Sequence, residues 1–331
     1  MIGTDNTVLS NGIIKDNIFY PKKNLASGTL RIVLTTDCNY RCRYCFAEGE
    51  IDKEKRVLNI QDIKKIVKIA KEFGITNIKL TGGEPLLYPY MEELLKYLKD
   101  NNIHIKLTEI SIPYIDLTTN ISLLNSKNIE ILNRYNVNAV TLSLNTLDVE
   151  KFKYLSNFSN YNLVYTNLLQ TLEKFKGKVR INCVVFDEKY NEDDYASIIN
   201  FCKEHDLGMR LVEPSKVEEL PITYTKEKFN EIIKKLKNKC DKVVKSDCKS
   251  VEYLFWNNWY ITVMHSLCDN RLCDSCIDYM YIRVNSELKL KPCLSRRDTE
   301  VPINMNSERG IREAFIEAIN YMGIGLQDEI E

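Results

Sequence analysis

Six β-branched runs recur between residues 30 and 213 of this 331-residue chain, and stretches with helical apolar spacing lie between them. The runs are Leu30–Thr36, Asn77–Thr81, one ending at Leu117–Asn120, Ala139–Leu144, Val179–Phe186 and Met209–Glu213. The spacing predicts helices over Asp62–Phe73, Met91–Leu98, Ser122–Tyr135, 148–175 and 193–205. In Asp62–Phe73 the apolar face is Ile63, Ile66, Val67, Ile69 and Ala70, and Gly74 supplies the stop. Strand–helix alternation of this kind gives a parallel sheet with right-handed crossovers. Ligands then gather beyond the carboxyl ends of the strands. Cys38–Cys45, Gly82-Gly83, Thr118-Thr119-Asn120, Ser143 and Glu213 all follow such ends, so they are expected at one mouth.

The first strand runs straight into Cys38-Asn-Tyr-Arg-Cys42-Arg-Tyr-Cys45, three cysteines spaced C-x3-C-x2-C. Neighbours this close cannot all pair as disulfides without strain. A loop of this length can instead turn three sulfurs onto one inorganic body. Three thiolates hold three irons of a [4Fe–4S] cluster and leave the fourth open for chemistry. A zinc knuckle completed by a distant His or Cys suits the same spacing.

After Glu213 the rhythm breaks. Residues 214–250 are Lys-rich, with one amphipathic helix near Lys226–Leu236 that reads as a solvated surface helix. A second cysteine group follows, Cys268-x4-Cys273-x2-Cys276-x16-Cys293, and it suits zinc or Fe–S equally. The alternating segment before Cys293 turns at Asn285-Ser286, and it predicts a hairpin that returns Cys293 to Cys273 and Cys276. Cys183, Cys202, Cys240 and Cys248 read as buried or incidental thiols. Gly82-Gly83-Glu84-Pro85 lets backbone approach a ligand closely and offers one carboxylate, although a lone sequence of this kind also suits a plain strand-to-helix turn. Arg31, near the start of the strand that feeds the cysteine loop, needs an anionic partner if it is buried. The three histidines form no ligand pattern, and there is no Walker loop.

Composition narrows the class. Lys plus Arg and Asp plus Glu stand at 46 each, which argues against a general nucleic-acid or membrane-surface role. No apolar run reaches membrane-spanning length and no secretory signal is visible, so the expected location is the cytoplasm. There the eleven cysteines are thiolates available to metal. Residues 1–28 read as an irregular N-terminal arm, 29–214 as the main α/β domain and 215–331 as a C-terminal cysteine-rich region.

The first motif, with aromatic Tyr44 before its third cysteine, resembles the signature of the radical S-adenosylmethionine (SAM) superfamily. The resemblance implies a cluster whose open iron binds SAM and, once reduced, splits it to a 5′-deoxyadenosyl radical that abstracts hydrogen from substrate. Within the superfamily, Leu30–Cys38, Leu80–Leu86, Leu117–Asn120, Leu142–Asp148, Arg210–Glu213 and Leu290–Leu294 are similar, in order, to motifs of the GTP 3′,8-cyclase family of molybdenum-cofactor biosynthesis. That likeness implies a partial (β/α)6 TIM-like barrel with a small C-terminal cysteine-rich extension of the twitch or SPASM kind. It implies cluster ligation by Cys38, Cys42 and Cys45, and SAM contacts from Tyr44, Gly82, Gly83, Glu84, Pro85 and Ser143. Arg31, Lys79, Thr118, Arg180, Arg210 and Arg283 would face substrate, with Arg31 and Arg210 closest to the chemistry. Cys273, Cys276 and Cys293, with Cys268 as a possible fourth ligand, would hold an auxiliary [4Fe–4S] cluster. A flavodoxin or ferredoxin would supply electrons, and a homodimer is a candidate assembly.

The departures gather where GTP would sit. The family's Asn-Arg-x-Arg run after the second C-terminal cysteine is replaced by Ile277–Arg283, which keeps only the last arginine and places Tyr281 at the earlier one. Lys79 stands for an arginine and Arg180 for a lysine, exchanges that keep charge but not geometry. Pro214-Ser215 replaces a methionine that packs on SAM, and the double-glycine C-terminus is absent. Three substrate classes therefore stand: a nucleotide with GTP first, a peptide, or none, in an Fe–S protein of electron transfer or regulation.

Overall fold

The computed structural model describes residues 7–9, 12–15, 18–21, 28–45, 54–101, 103–105, 110–112, 114–185, 192–214, 226–245, 251–265, 281–293 and 298–322. In chain order, β1 (Thr7–Leu9), β2 (Gly12–Lys15) and β3 (Ile18–Pro21) form an antiparallel ribbon. The polar N-terminal arm thus contains strands that the sequence reading missed. Then come β4 (Gly28–Val33), α1 (Ile60–Glu72), β5 (Ile75–Thr81), α2 (Met91–Asp100), the hairpin β6 (Ile103–Ile105) and β7 (Ile110–Ile112), and β8 (Tyr114–Thr119). Next are α3 (Ser126–Arg134), β9 (Ala139–Ser143), α4 (Val149–Ser156), α5 (Tyr161–Lys174), β10 (Lys178–Val184), α6 (Glu192–Glu204) and β11 (Gly208–Val212). The chain continues through α7 (Lys226–Lys237), β12 (Lys242–Lys245), β13 (Val251–Trp256) and β14 (Trp259–Met264). It closes with β15 (Tyr281–Val284), β16 (Lys289–Lys291), β17 (Val301–Pro302) and α8 (Glu308–Asn320). All six predicted strands and the predicted helices are present, with shifts of a few residues at their ends. For α3 the shift has a cause: Asn125 Oδ1 accepts from Asn128 N and caps the helix later than the apolar pattern alone indicated.

The chain divides into two compact units. The first comprises 1–37, 48–116 and 268–331. Its β4 pairs in parallel with β5 on one side and β15 on the other, and β15 turns antiparallel into β16 and then β17. Leu30 and Ile32 of β4 are fully buried, whereas Thr29 and Arg31, on the other face, are partly exposed. α1 starts at Asn59, whose side chain accepts from Gln61 N, and it buries the apolar face read from its spacing. Gly74, at φ +74°, ends it as expected. α8 joins α1 at the C-terminal end: Phe315 stacks on Phe73 at 5.3 Å, and Arg312 grips Glu72 with two bonds of 2.6 and 2.9 Å.

The second unit comprises 38–47 and 117–267. β9, β10 and β11 pair in parallel, and β14 extends them in parallel before β13 and β12 turn back. Strands β12–β14 lie where the alternation was judged to end. Their sequence carries no βαβ rhythm; β14 joins the sheet by pairing with β11, and β13 and β12 follow by antiparallel pairing. α7 is the amphipathic surface helix read from the sequence: Phe229, Ile232, Ile233 and Leu236 are buried, while Lys226, Glu227, Glu231 and Lys234 are exposed. Cys183 and Cys202 are fully buried core thiols, as read from the sequence. Among the described residues no helix is long and apolar enough to cross a membrane.

Candidate functional site

The cysteine loop is anchored on the end of α4. Arg41 N and Arg43 N donate to Ser156 O at 3.1 Å and Leu155 O at 2.9 Å, and the Arg43 guanidinium lies 4.4 Å over the Tyr154 ring. Tyr40 is buried, stacked on Phe158 at 4.4 Å, with its hydroxyl donating to Asn120 O at 3.1 Å. These contacts place two donors at Cys38 Sγ: Tyr40 N at 3.4 Å and Asn120 Nδ2 at 3.7 Å. Donors aimed at sulfur favour the thiolate and tune a cluster bound through it. Cys42 and Cys45 close a turn, Cys45 N donating to Cys42 O at 3.2 Å.

Burial, then the neighbouring Cys45 and Cys38, push the Cys42 thiol up to about 12. Tyr44 hydrogen-bonds Cys42, and burial holds its own phenol well above the ordinary value. Among the described residues no three His, Cys, Asp or Glu side chains already stand as a closed metal set. Three mutually influencing thiols on one short anchored loop, with hydrogen-bond donors at one sulfur, are nevertheless the donor chemistry of a thiolate-bound iron cluster. Metal binding must displace the proton that Cys42 otherwise keeps.

Behind the loop in the sequence, the first unit shows what the double glycine is for. A Cβ on Gly82 would stand 2.4 Å from Thr35 O, and one on Gly83 would stand 2.2 Å from Asp37 O. Gly83 N donates to Thr35 O at 2.7 Å and Glu84 N to Asp37 O at 2.8 Å. Only glycine allows this approach, and the segment so held is the run that enters Cys38. Glu84 is fully buried, and its carboxylate accepts from Leu86 N at 3.1 Å, capping a short 3₁₀ turn at Pro85–Leu87.

The same unit gathers cations. Across β5, β4, β15 and β16 the residues Lys79, Arg31, Arg283 and Lys291 are successive register partners. Register partners share a sheet face, so four cations stand in one transverse row. Lys79 lies 3.8 Å from the buried carboxylate of Asp116, and Lys291 lies 2.8 Å from Glu300. Arg31 donates to Thr81 Oγ1 at 3.4 Å and to the Tyr281 hydroxyl at 3.3 Å. The Tyr281 ring lies 4.9 Å from the Arg283 guanidinium and 5.7 Å from the Lys79 ammonium. Burial alone would push this phenol up, but Arg31, Lys79 and Arg283 outweigh it and hold the phenol below its ordinary value.

The second unit carries a polar row of its own. Ser143, Asn182, Arg210 and Thr262 are register partners across β9, β10, β11 and β14. Arg180 lies two residues before Asn182 on the same face, where its side chain fills the space that a Cβ on Gly208 would need, its Cγ only 2.9 Å away. Thr118, in β8, is half-buried. The buried Glu213 lies 3.6 Å from His265 Nδ1, and His265 Nε2 lies 3.6 Å from Glu252.

The structure thus joins Arg31, Lys79 and Arg283 in one row, and it joins Ser143 with Arg210 in another. Cys293 follows β16, while Cys268, Cys273 and Cys276 lie outside the described residues. Lys291, Thr81, Asp116, Asn182 and His265 were missed. The signal for the first three is strand register, which no local pattern carries. His265 was passed over because its carboxylate neighbours are distant in sequence.

The Radical SAM superfamily model matches residues 32–202, just over half of the chain. A "Probable GTP 3′,8-cyclase" of Sulfurisphaera tokodaii is 30% identical over 88% of this chain and 91% of its own. A protein of that name from Methanocaldococcus jannaschii is 29% identical over 88% and 94%. Among solved structures, Streptococcus suis SuiB bound to S-adenosylmethionine superposes with a TM-score of 0.63 at 18% identity, over 90% of this chain and 67% of that one. That likeness in fold agrees with the partial (β/α)6 barrel expected from the sequence. The loop chemistry, the parallel α/β scaffold and the matched family agree: the chain is an enzyme of the radical SAM superfamily, whose cofactors are a [4Fe–4S] cluster and SAM.

Proposed function

We propose that this enzyme acts on a small anionic substrate of the nucleotide class, with GTP as the first candidate. The observation that carries this reading is the in-register cation row Lys79–Arg31–Arg283, built on the strand that leads into the cysteine loop. The name shared by the similar curated proteins supports it. In this reading Cys38, Cys42 and Cys45 hold the SAM cluster, and Tyr44, Gly82–Pro85 and Ser143 line the SAM pocket. When bound, cluster and SAM supply one-electron cleavage and hydrogen abstraction. The chain's own part is positional. Asn120 Nδ2 and Tyr40 N donate to Cys38 Sγ and so orient it. Gly82 and Gly83 hold the loop's entry by close backbone approach. Arg31 and Arg283 neutralise and orient the substrate's anionic end, with Thr118, Arg180 and Arg210 as further substrate contacts. Cys273, Cys276 and Cys293, with Cys268 as fourth ligand, hold an auxiliary cluster.

Anaerobic reconstitution tests the cluster assignment: about eight irons per chain support two [4Fe–4S] clusters, whereas about four irons with one zinc remove the auxiliary one. Incubation with SAM and dithionite tests the reaction through release of 5′-deoxyadenosine. A screen for deuterium transfer into 5′-deoxyadenosine tests the substrate, with GTP, other nucleotides and peptides as its arms. Transfer from a peptide alone overturns the nucleotide reading, and no 5′-deoxyadenosine under any condition overturns catalysis.

A further inference from the structure

We propose that Tyr281 is a specificity-determining residue that divides the cation row and limits it to a compact anion, a single phosphoryl group, rather than an extended polyphosphate. The inference rests on the reading that this row receives the substrate's anionic end; it concerns the length of that end and, within the nucleotide class, puts a monophosphate such as GMP ahead of GTP.

Three cations of the row converge on one phenol. The hydroxyl takes a bond from Arg31 at 3.3 Å, while the ring lies 4.9 Å from the Arg283 guanidinium and 5.7 Å from the Lys79 ammonium. A cation over an aromatic face is held there by the ring's quadrupole, so the ring keeps Lys79 and Arg283 against itself. A polyphosphate needs successive cations in file, each free to meet a separate phosphoryl group. Here an aromatic ring that brings no positive charge stands among them and engages Arg31, Lys79 and Arg283 together.

One donor of the row is left over. Among the described residues Arg283 Nε is buried without a hydrogen-bond partner. A buried donor left unsatisfied is costly, and one phosphoryl oxygen placed between Arg283 and Arg31 would satisfy it.

The test uses the anaerobically reconstituted chain with SAM present, and reads equilibrium binding of inorganic phosphate against tripolyphosphate and of GMP against GTP. The wild type is expected to bind phosphate at least as tightly as tripolyphosphate, and GMP at least as tightly as GTP. Tyr281→Leu removes the ring and Tyr281→Arg puts a further cation in its place. Each should shift both ratios toward the longer chain, about tenfold or more for Tyr281→Arg, as a gained charge-assisted contact requires. Tripolyphosphate bound tenfold more tightly by the wild type overturns the proposal, as do ratios unchanged in both variants or no binding of any of the four anions. A preference for phosphate without binding of either nucleotide upholds this inference and defeats the nucleotide reading, so the two fail separately.

Discussion

The cysteine loop and the cation row are built in opposite ways. The loop is eight consecutive residues whose sulfurs are close because the chain is short between them. Its anchors, at Asn120 and at Leu155 and Ser156, orient it, but they do not assemble it. The row takes Arg31, Lys79, Arg283 and Lys291 from four strands, two of them more than 200 residues away in sequence from the others. Nothing local holds those four together. A change in the loop therefore acts on chemistry directly, whereas a change in the row acts through register and packing.

That contrast can be broken most sharply at Cys42. Cys42→Ala should reduce 5′-deoxyadenosine release to background and remove about four irons per chain, read by iron assay and product chromatography. Retained cleavage would mean that the loop is not the cluster site. Arg31→Ala should leave substrate-free SAM cleavage intact but raise the KM of the anionic substrate about tenfold to a hundredfold, the cost of one charge-assisted contact of about 1.5–3 kcal/mol. Arg31→Lys should recover only part of this loss, because an ammonium cannot keep both the Thr81 and Tyr281 contacts. Equal loss of cleavage and of substrate affinity would place Arg31 with the loop.

Gly83→Ala addresses the link between the two regions. Its Cβ meets Asp37 O at 2.2 Å, so backbone must move, at a cost of about 1–3 kcal/mol typical of overpacking. Denaturant unfolding should show the loss, and iron content should fall with it because the displaced segment enters Cys38. A further effect is on pH and is confined to the metal-free chain. The Cys42 thiol moves from an ordinary value of 9.0 to about 12, so between those values the unfolded chain loses its proton first. The metal-free protein should then lose stability as pH rises from about 9 toward 12, and Cys42→Ala should flatten that part of the curve. A curve unchanged by the substitution would show that this thiol is not buried in solution.

Legibility followed the range of the physical cause. α1 was readable because its cap at Asn59, its apolar spacing and its stop at Gly74 all lie within sixteen residues. The hairpin β15–β16 was readable from alternation and from the turn at Asn285, whose Oδ1 accepts from Glu287 N and Lys289 N. Its parallel pairing with β4 was not, since β-branched alternation says that a strand exists but not which strand it joins. β12–β14 were not readable for the same reason, whereas the amphipathic period of α7 was, with Phe229, Ile232, Ile233 and Leu236 on its buried face.

The amino-acid sequence by itself determined the α/β alternation and the three-thiol loop, and the resemblance of that loop to a known signature implied the superfamily and its radical chemistry. These depend on residues within a turn or two of one another, where covalent spacing and hydrophobic period leave few alternatives. Only the tertiary structure decided that Tyr281 stands among Lys79, Arg31 and Arg283. Strand register over 250 residues is set by hydrogen-bonded pairing and by which faces must be buried, and a one-residue slip would turn every one of those side chains to the other face.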